Sequence, residues 1–331
     1  MIFTSFSRIK FYLMVAFFYA LAIAILSGWR EVGIDRDNYI QMYNGVISNN
    51  DWATKLWYAK DLFFLIVALL ANYFSEDARL AFLVITYLSI FLKYSAISKM
   101  TPNATLGFVI LYSIFLAPGL EFAALRGGLA LGFVMLALVY RSQNIRFFIL
   151  AVLVVSAHNA LILVIFLAVS KVNKFLYKHK WGYVIITLVV YMAADFLIKL
   201  FPHGADYENN RGTVFAFSEP LATLLIAWLI FFRLDRFSNL DINDPTFQHL
   251  QFLRQIVYGL ISIAFGITSV VVTASTRYLE ISWCLLLFTA IVMFRKSFIN
   301  MLGALLLLFL LSYINILRLT WLTIFNPTLV L

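Results

Sequence analysis

The chain of 331 residues is 63% hydrophobic and only 12% charged, with a mean hydropathy of +0.92, which excludes a water-soluble globular protein. Its net charge of +9 argues for nucleic-acid binding only if the basic residues share a soluble face, and here they punctuate apolar runs instead. The single cysteine, Cys284, lies in the apolar string SWCLLLF as a small filler, which leaves no disulfide framework or thiol cluster.

In chain order, the opening MIFTSFSRIKFYLMVAFFYALAIAILSGWR places basic residues before a long apolar run with no A-x-A site after it, which predicts an uncleaved first span over residues 12–29. Further apolar segments follow at residues 62–74, 80–97, 105–116, 123–140, 147–169, 183–200, 221–232, 252–272, 279–294 and 301–317. Unalternating stretches such as LGALLLLFLLSYINIL fit spans of about 20 residues and not the period-two strands of a barrel. The expected fold class is all-α: a polytopic transmembrane bundle of about 9–11 membrane segments. Without an internal repeat, a Gly/Ser- or Pro-rich linker or inverted symmetry of broken helices, one integral-membrane domain over residues 1–331 is the economical organisation.

The charges then set the topology. The basic strings RSQNIR and KVNKFLYKHK both belong on the cytoplasmic side by the positive-inside rule, yet a single crossing between them would separate them. Both fall on one side if residues 147–169 enter and turn back at SAHNA, and if the short segment 62–74 is a re-entrant or surface hairpin, lining a cavity or buried in protein. With the N-terminus inside, Arg8, Lys10, Lys93, Lys99, Arg141, Arg146 and the 171–180 lysines are cytoplasmic. Nearly all carboxylates, with Arg36, Arg126, Arg211, Arg277 and Arg318, collect outside. Anionic membrane lipid is partner enough for the basic excess.

Five polar stretches fall on that outer side. GIDRDNYIQMYNG holds Asp35, Arg36 and Asp37, either caps of turns and helix starts in a solvated loop or a base beside an anion-binding arginine. Arg126 in EFAALRGGLALGF is costly a few residues into an apolar helix, about 2.5 kcal/mol or more, unless it faces a cavity or partner. The alternative is a snorkelling arginine paired with Glu121. His158, between Ser156 and Asn159, is a structural hydrogen bonder or an acid, base or phosphate ligand. FPHGADYENNRG offers Asp206, Glu208 and Arg211 beside Tyr207, a mix that suits both sugars and solvated loops. TASTRYLE puts Arg277 and Tyr278 at the junction of two spans, as an interfacial anchor or as site residues. His179, His203 and His249 make no metal-ligand pattern, and no metal or other cofactor is expected. Fixed arginines beside carboxylates suit a diphosphate-bearing substrate whose acceptor hydroxyl must be deprotonated.

These residues resemble a family. GIDRDNY is similar to the G-T-D-x-x-N-Y signature of EpsG-like, Wzy-type polysaccharide polymerases (O-antigen, capsule or exopolysaccharide); LRGGLALGF resembles their L-R-Q-x-x-A helix start, SAHNALI their F-H-x-S-A-L turn, and STRYLE their late R-Y. The departures are Ile34 and Arg36 where Thr and an aromatic are commoner, Gly127 for Gln, and one span before the first motif where two are usual. The resemblance implies a GT-C-like, metal-independent membrane glycosyltransferase of the bacterial inner membrane. Such an enzyme is expected to move a growing glycan from undecaprenyl diphosphate to the sugar of an incoming lipid-linked repeat unit on the outer face. A chain-length regulator and a flippase are the implied protein partners, and nucleic acid is not one. Carried over position by position are Asp35, Tyr39, Arg126, His158 and Arg277. The expected roles make Asp35 the leading base and Asp206 the second, Arg126 and Arg277 the diphosphate clamp and His158 its hydrogen-bond donor or acid, with Asp37, Tyr39, Asp206, Arg211 and Tyr278 holding substrate. Rival readings are a transporter of the lipid-linked repeat, a ligase using the same donor, and an acyltransferase, for which no H-x-x-x-D element accompanies His158.

Overall fold

In a computed structural model of the chain, the described residues are 5–29, 35–100, 105–200, 214–237, 245–268 and 270–294, and among them every regular element is helical. They run α1 (Ser5–Trp29), α2 (Arg36–Ser48), α3 (Trp52–Ala59), α4 (Leu62–Phe74), α5 (Ala78–Met100), α6 (Thr105–Phe115), a π-helical turn (Pro118–Ala123), α7 (Leu125–Val139), α8 (Asn144–Ala157), a 3-10 turn (Asn159–Leu161) and α9 (Ile162–Ala168). Then come α10 (Ser170–Lys178), α11 (Gly182–Leu200), a 3-10 turn (Val214–Phe217), α12 (Ser218–Phe237), α13 (Pro245–Thr268) and α14 (Val272–Phe294). Among the described residues three helical stretches, Ala78–Met100, Phe247–Thr268 and Ala274–Val292, are long and apolar enough to cross a membrane, and shorter apolar helices accompany them.

The chain divides into two compact units, Met1–Ile165 with Tyr313–Leu331, and Phe166–Ser312. In the first, α5 is the central helix, packed against α1 on one side and α7 on the other. Its buried positions Ala81, Ile85, Ser89 and Lys93 recur every four residues and form one stripe. Between apolar helices in lipid there is no hydrophobic drive to associate, so close packing and internal hydrogen bonds hold this contact together. Lys93 is the departure from expectation. It is 1% exposed and ion-paired with Glu121 rather than a solvated cation, because the charge-counting rule sees only sequence position and not a buried partner. In the second unit α13 packs against α10, α11, α12 and α14. Asn173 Nδ2 donates to the Phe252 carbonyl at 3.1 Å and Trp283 Nε1 donates to Thr223 Oγ1 at 3.0 Å, tying α10 to α13 and α14 to α12.

Two segments read as loops are helical. The polar stretch after α1 folds into α2 and α3, which are short and carry apolar residues on one side, so hydropathy alone passed over them. The basic run holds α10, whose buried Asn173 and Leu176 share one side. Residues 147–169 are interrupted as expected. The helix stops at His158, whose backbone is extended at φ −164° and ψ 106°, before the 3-10 turn. The hairpin expected at residues 62–74 is corrected: they form one uninterrupted 13-residue helix, an unbroken apolar stretch with no Gly or Pro to turn it. The expected segment 301–317 lies outside the described residues.

Candidate active site

Four aspartates stand at helix starts in the first unit, and their fates differ; Asp77, before α5, caps it by accepting the Arg79 amide at 2.9 Å. Asp51 is an ordinary cap: its carboxylate accepts the Thr54 amide and hydroxyl at 2.8 Å, which holds it below the usual carboxylate range. Asp35 occupies the position before α2, where its carbonyl accepts the Tyr39 amide at 3.1 Å. Asp61 precedes α4 but makes no side-chain cap. Its carboxylate turns away to an ion pair with the Arg126 guanidinium, and its other oxygen accepts the Asn159 amide at 3.3 Å. Burial pushes the Asp61 carboxyl above its ordinary value, and the Arg126 charge and Asn159 amide pull against that. A capping carboxylate spent on a tertiary contact leaves its own helix start uncapped, so its placement serves Arg126 and the break beside His158.

Arg126 is reached from three sides. It lies in the first turn of α7, where the backbone N–H groups and the helix dipole favour an anion. Its amide donates to the Tyr39 hydroxyl at 3.5 Å, and its guanidinium lies over the Tyr39 ring, 6.0 Å from the centroid. Tyr39 itself is wedged between Phe64 and Phe82, each with its ring centroid 6.0 Å away. A Cβ built on Gly127 would meet His158 Cδ2 at 3.9 Å, which brings the interrupted helix against the start of α7. The Arg126 side chain is 18% exposed against 2% for Asp61, so the cation keeps an open side while the acid is covered.

Behind Arg126 lies a second ion pair, fully buried. Lys93 Nζ donates to Glu121 Oε1 at 2.5 Å, to Ser89 Oγ at 2.5 Å and to the Gly128 carbonyl at 2.6 Å. Tyr112 and Ser89 also donate to Glu121 Oε1, at 2.6 and 3.1 Å. The alternative pairing of Arg126 with Glu121 is therefore corrected: Glu121 sits in the π-helical turn facing α5, and Lys93 takes it.

The structure thus brings Tyr39, Arg126 and the residues at the His158 break together, with Asp35 one helical turn before Tyr39. Asp37 is well exposed, with Arg36 3.5 Å away. In the second unit Arg277 lies in the second turn of α14 and pairs with buried Glu280 at 3.0 Å, while Tyr278 is 3% exposed and packed inside rather than anchored at an interface. Asp206 and Arg211 lie outside the described residues. Sequence reasoning missed Asp61 and the Lys93–Glu121 pair. A lone Asp before an apolar run reads as a cap, and only the fold reveals its diversion. Among the described residues no three His, Cys, Asp or Glu side chains converge as metal ligands do. The second unit also holds a cleft of about 530 Å³ between Tyr183, Trp228, Arg254 and Tyr258, which none of the sequence-predicted residues line.

Helices long and apolar enough to cross a membrane, with a largely covered, ion-paired arginine at the start of an apolar helix, mark the described residues as those of a polytopic membrane protein. Its sequence matches the EpsG family model over residues 11–326, nearly the whole chain, and the protein belongs to that family. No curated protein and no solved structure matches it.

Proposed function

We propose that the protein polymerises lipid-linked oligosaccharide repeat units, passing the growing glycan from undecaprenyl diphosphate to a sugar hydroxyl of the incoming repeat on the outer face of a bacterial inner membrane. Family membership supports a polysaccharide polymerase, and the observation that carries the reading to a site is Arg126, a cation held by Asp61 with one side open. Leaving diphosphate gains negative charge as the glycosidic bond breaks, and a cation already in place, at the positive end of α7, stabilises that charge without reorganising. Tyr39 holds the guanidinium over its ring, and His158 at the helix break donates to or protonates the departing phosphate. Arg277, in the second unit, is a proposed phosphate-binding cation in its own right. Asp35 is the proposed base for the acceptor hydroxyl, and the break at His158 is the proposed re-entrant turn that admits the prenyl chain.

Purified protein reconstituted with a defined prenyl-diphosphate oligosaccharide tests this. A ladder of products is expected. A single transfer to another lipid makes it a ligase, and intact substrate moved across the vesicle makes it a transporter; either overturns the proposal.

A further inference from the structure

The buried Lys93–Glu121 pair has no place in the transfer chemistry, yet its contacts bracket Arg126. Lys93 holds Glu121, five residues before the arginine in the π-helical turn, and the carbonyl of Gly128, two residues after it in α7. One ammonium on α5 therefore fixes both flanks of the short strand of backbone that presents the guanidinium. The fit behind it is tight: a Cβ on Gly128 would come within 2.5 Å of the Leu120 carbonyl. The backbone bends at Ala124, at φ −109° and ψ 52°, between the π-helical turn and α7, so the direction of Arg126 is set at a joint and not by one continuous helix. Further bonds hold that joint from α1 and α5, since Ser27 Oγ donates to the Glu121 carbonyl at 3.0 Å and Thr86 Oγ1 donates to Ser27 Oγ at 2.9 Å. A π-helical turn costs regular hydrogen bonding and persists where neighbours over-determine it, frequently beside functional residues.

We infer that Lys93 and Glu121 are positioning residues that aim Arg126 for a diphosphate from behind, while Asp61 restrains the guanidinium from in front. This inference rests on the reading of Arg126 as a diphosphate ligand. A buried pair replaced by apolar residues of similar size leaves no unpaired charge, so Lys93→Met/Glu121→Leu removes the bracket without burying a lone ion.

The test is a double-mutant cycle read by binding of farnesyl diphosphate to the purified full chain. The pair variant is expected to bind about tenfold more weakly than wild type, and to change nothing further when Arg126 is already alanine. Wild-type affinity in the pair variant overturns the inference, and so does an equal weakening in both backgrounds, which marks a role that does not run through Arg126. Should the pair variant fail to fold, Tyr112→Phe takes its place, since it removes one donor to Glu121 and keeps both charges; about threefold weaker binding only where Arg126 is present is expected, and unchanged affinity overturns the inference. Wild type and Arg126→Ala binding alike would instead remove the diphosphate reading, a failure seen in the single variants before the cycle is closed.

Discussion

Asp61 and Arg126, 65 residues apart in sequence, form an ion pair that joins the start of α4 to the start of α7 beside the helix break at His158. The acid is covered and the arginine is the more exposed partner, the arrangement that the proposed diphosphate contact at the guanidinium requires.

Removing the acid should therefore hurt twice. Asp61→Ala leaves Arg126 without its counter-charge and Asn159 without an acceptor, and breaking such a pair is expected to cost about 2–4 kcal/mol, below the range for a fully buried pair because Arg126 is partly solvated. Asp61→Asn keeps a hydrogen-bond acceptor and should cost about half that. Thermal melts in detergent check the order, and product ladders should shorten in both.

Neighbouring glycines should behave differently. A Cβ on Gly127 makes ordinary contacts at 3.8 and 3.9 Å, whereas one on Gly128 meets the backbone of Leu120 at 2.5 Å. Gly127→Ala is expected to melt within about 0.5 kcal/mol of wild type and Gly128→Ala to lose about 1–3 kcal/mol, since backbone cannot step aside as a side chain does.

The two members of the buried pair should be worth more apart than together. Glu121→Leu alone strands the Lys93 ammonium and should cost about 3–5 kcal/mol, while Lys93→Met/Glu121→Leu should recover most of that. Denaturation of the purified variants measures both, and a double variant no more stable than the single would contradict the pairing.

Exposed charge next to the site should matter little. Asp37 is 86% exposed on its side chain, so Asp37→Ala should leave the melting temperature unchanged and separate solvated charge in the first turn of α2 from the residues that touch Arg126.

What the sequence revealed follows from the energy each feature carries. Apolar runs are long because lipid demands them, so α5, α13 and α14 were all found, although α13 and α14 begin seven residues before the apolar runs at 252–272 and 279–294, where polar residues open the helix. An arginine inside such a run is expensive wherever it sits, so Arg126 stood out before any fold was known. Asp61 carries no such signal, because an acid before a helix is ordinary and its diversion to Arg126 depends on how α4 and α7 pack. Lys93 was misplaced for the same reason: its partner lies 28 residues away in a turn with an irregular backbone that hydropathy does not register. Helices α2 and α3 escaped because their polarity resembles that of a loop.

The central claim is that Arg126 neutralises the departing diphosphate during chain growth. It is tested most directly by reconstituting Arg126→Ala beside wild type with the same prenyl-diphosphate oligosaccharide and resolving the product lengths. The account predicts a ladder from wild type and unextended substrate from the variant, with both proteins equally present in the membrane. A ladder of wild-type length from Arg126→Ala would contradict it.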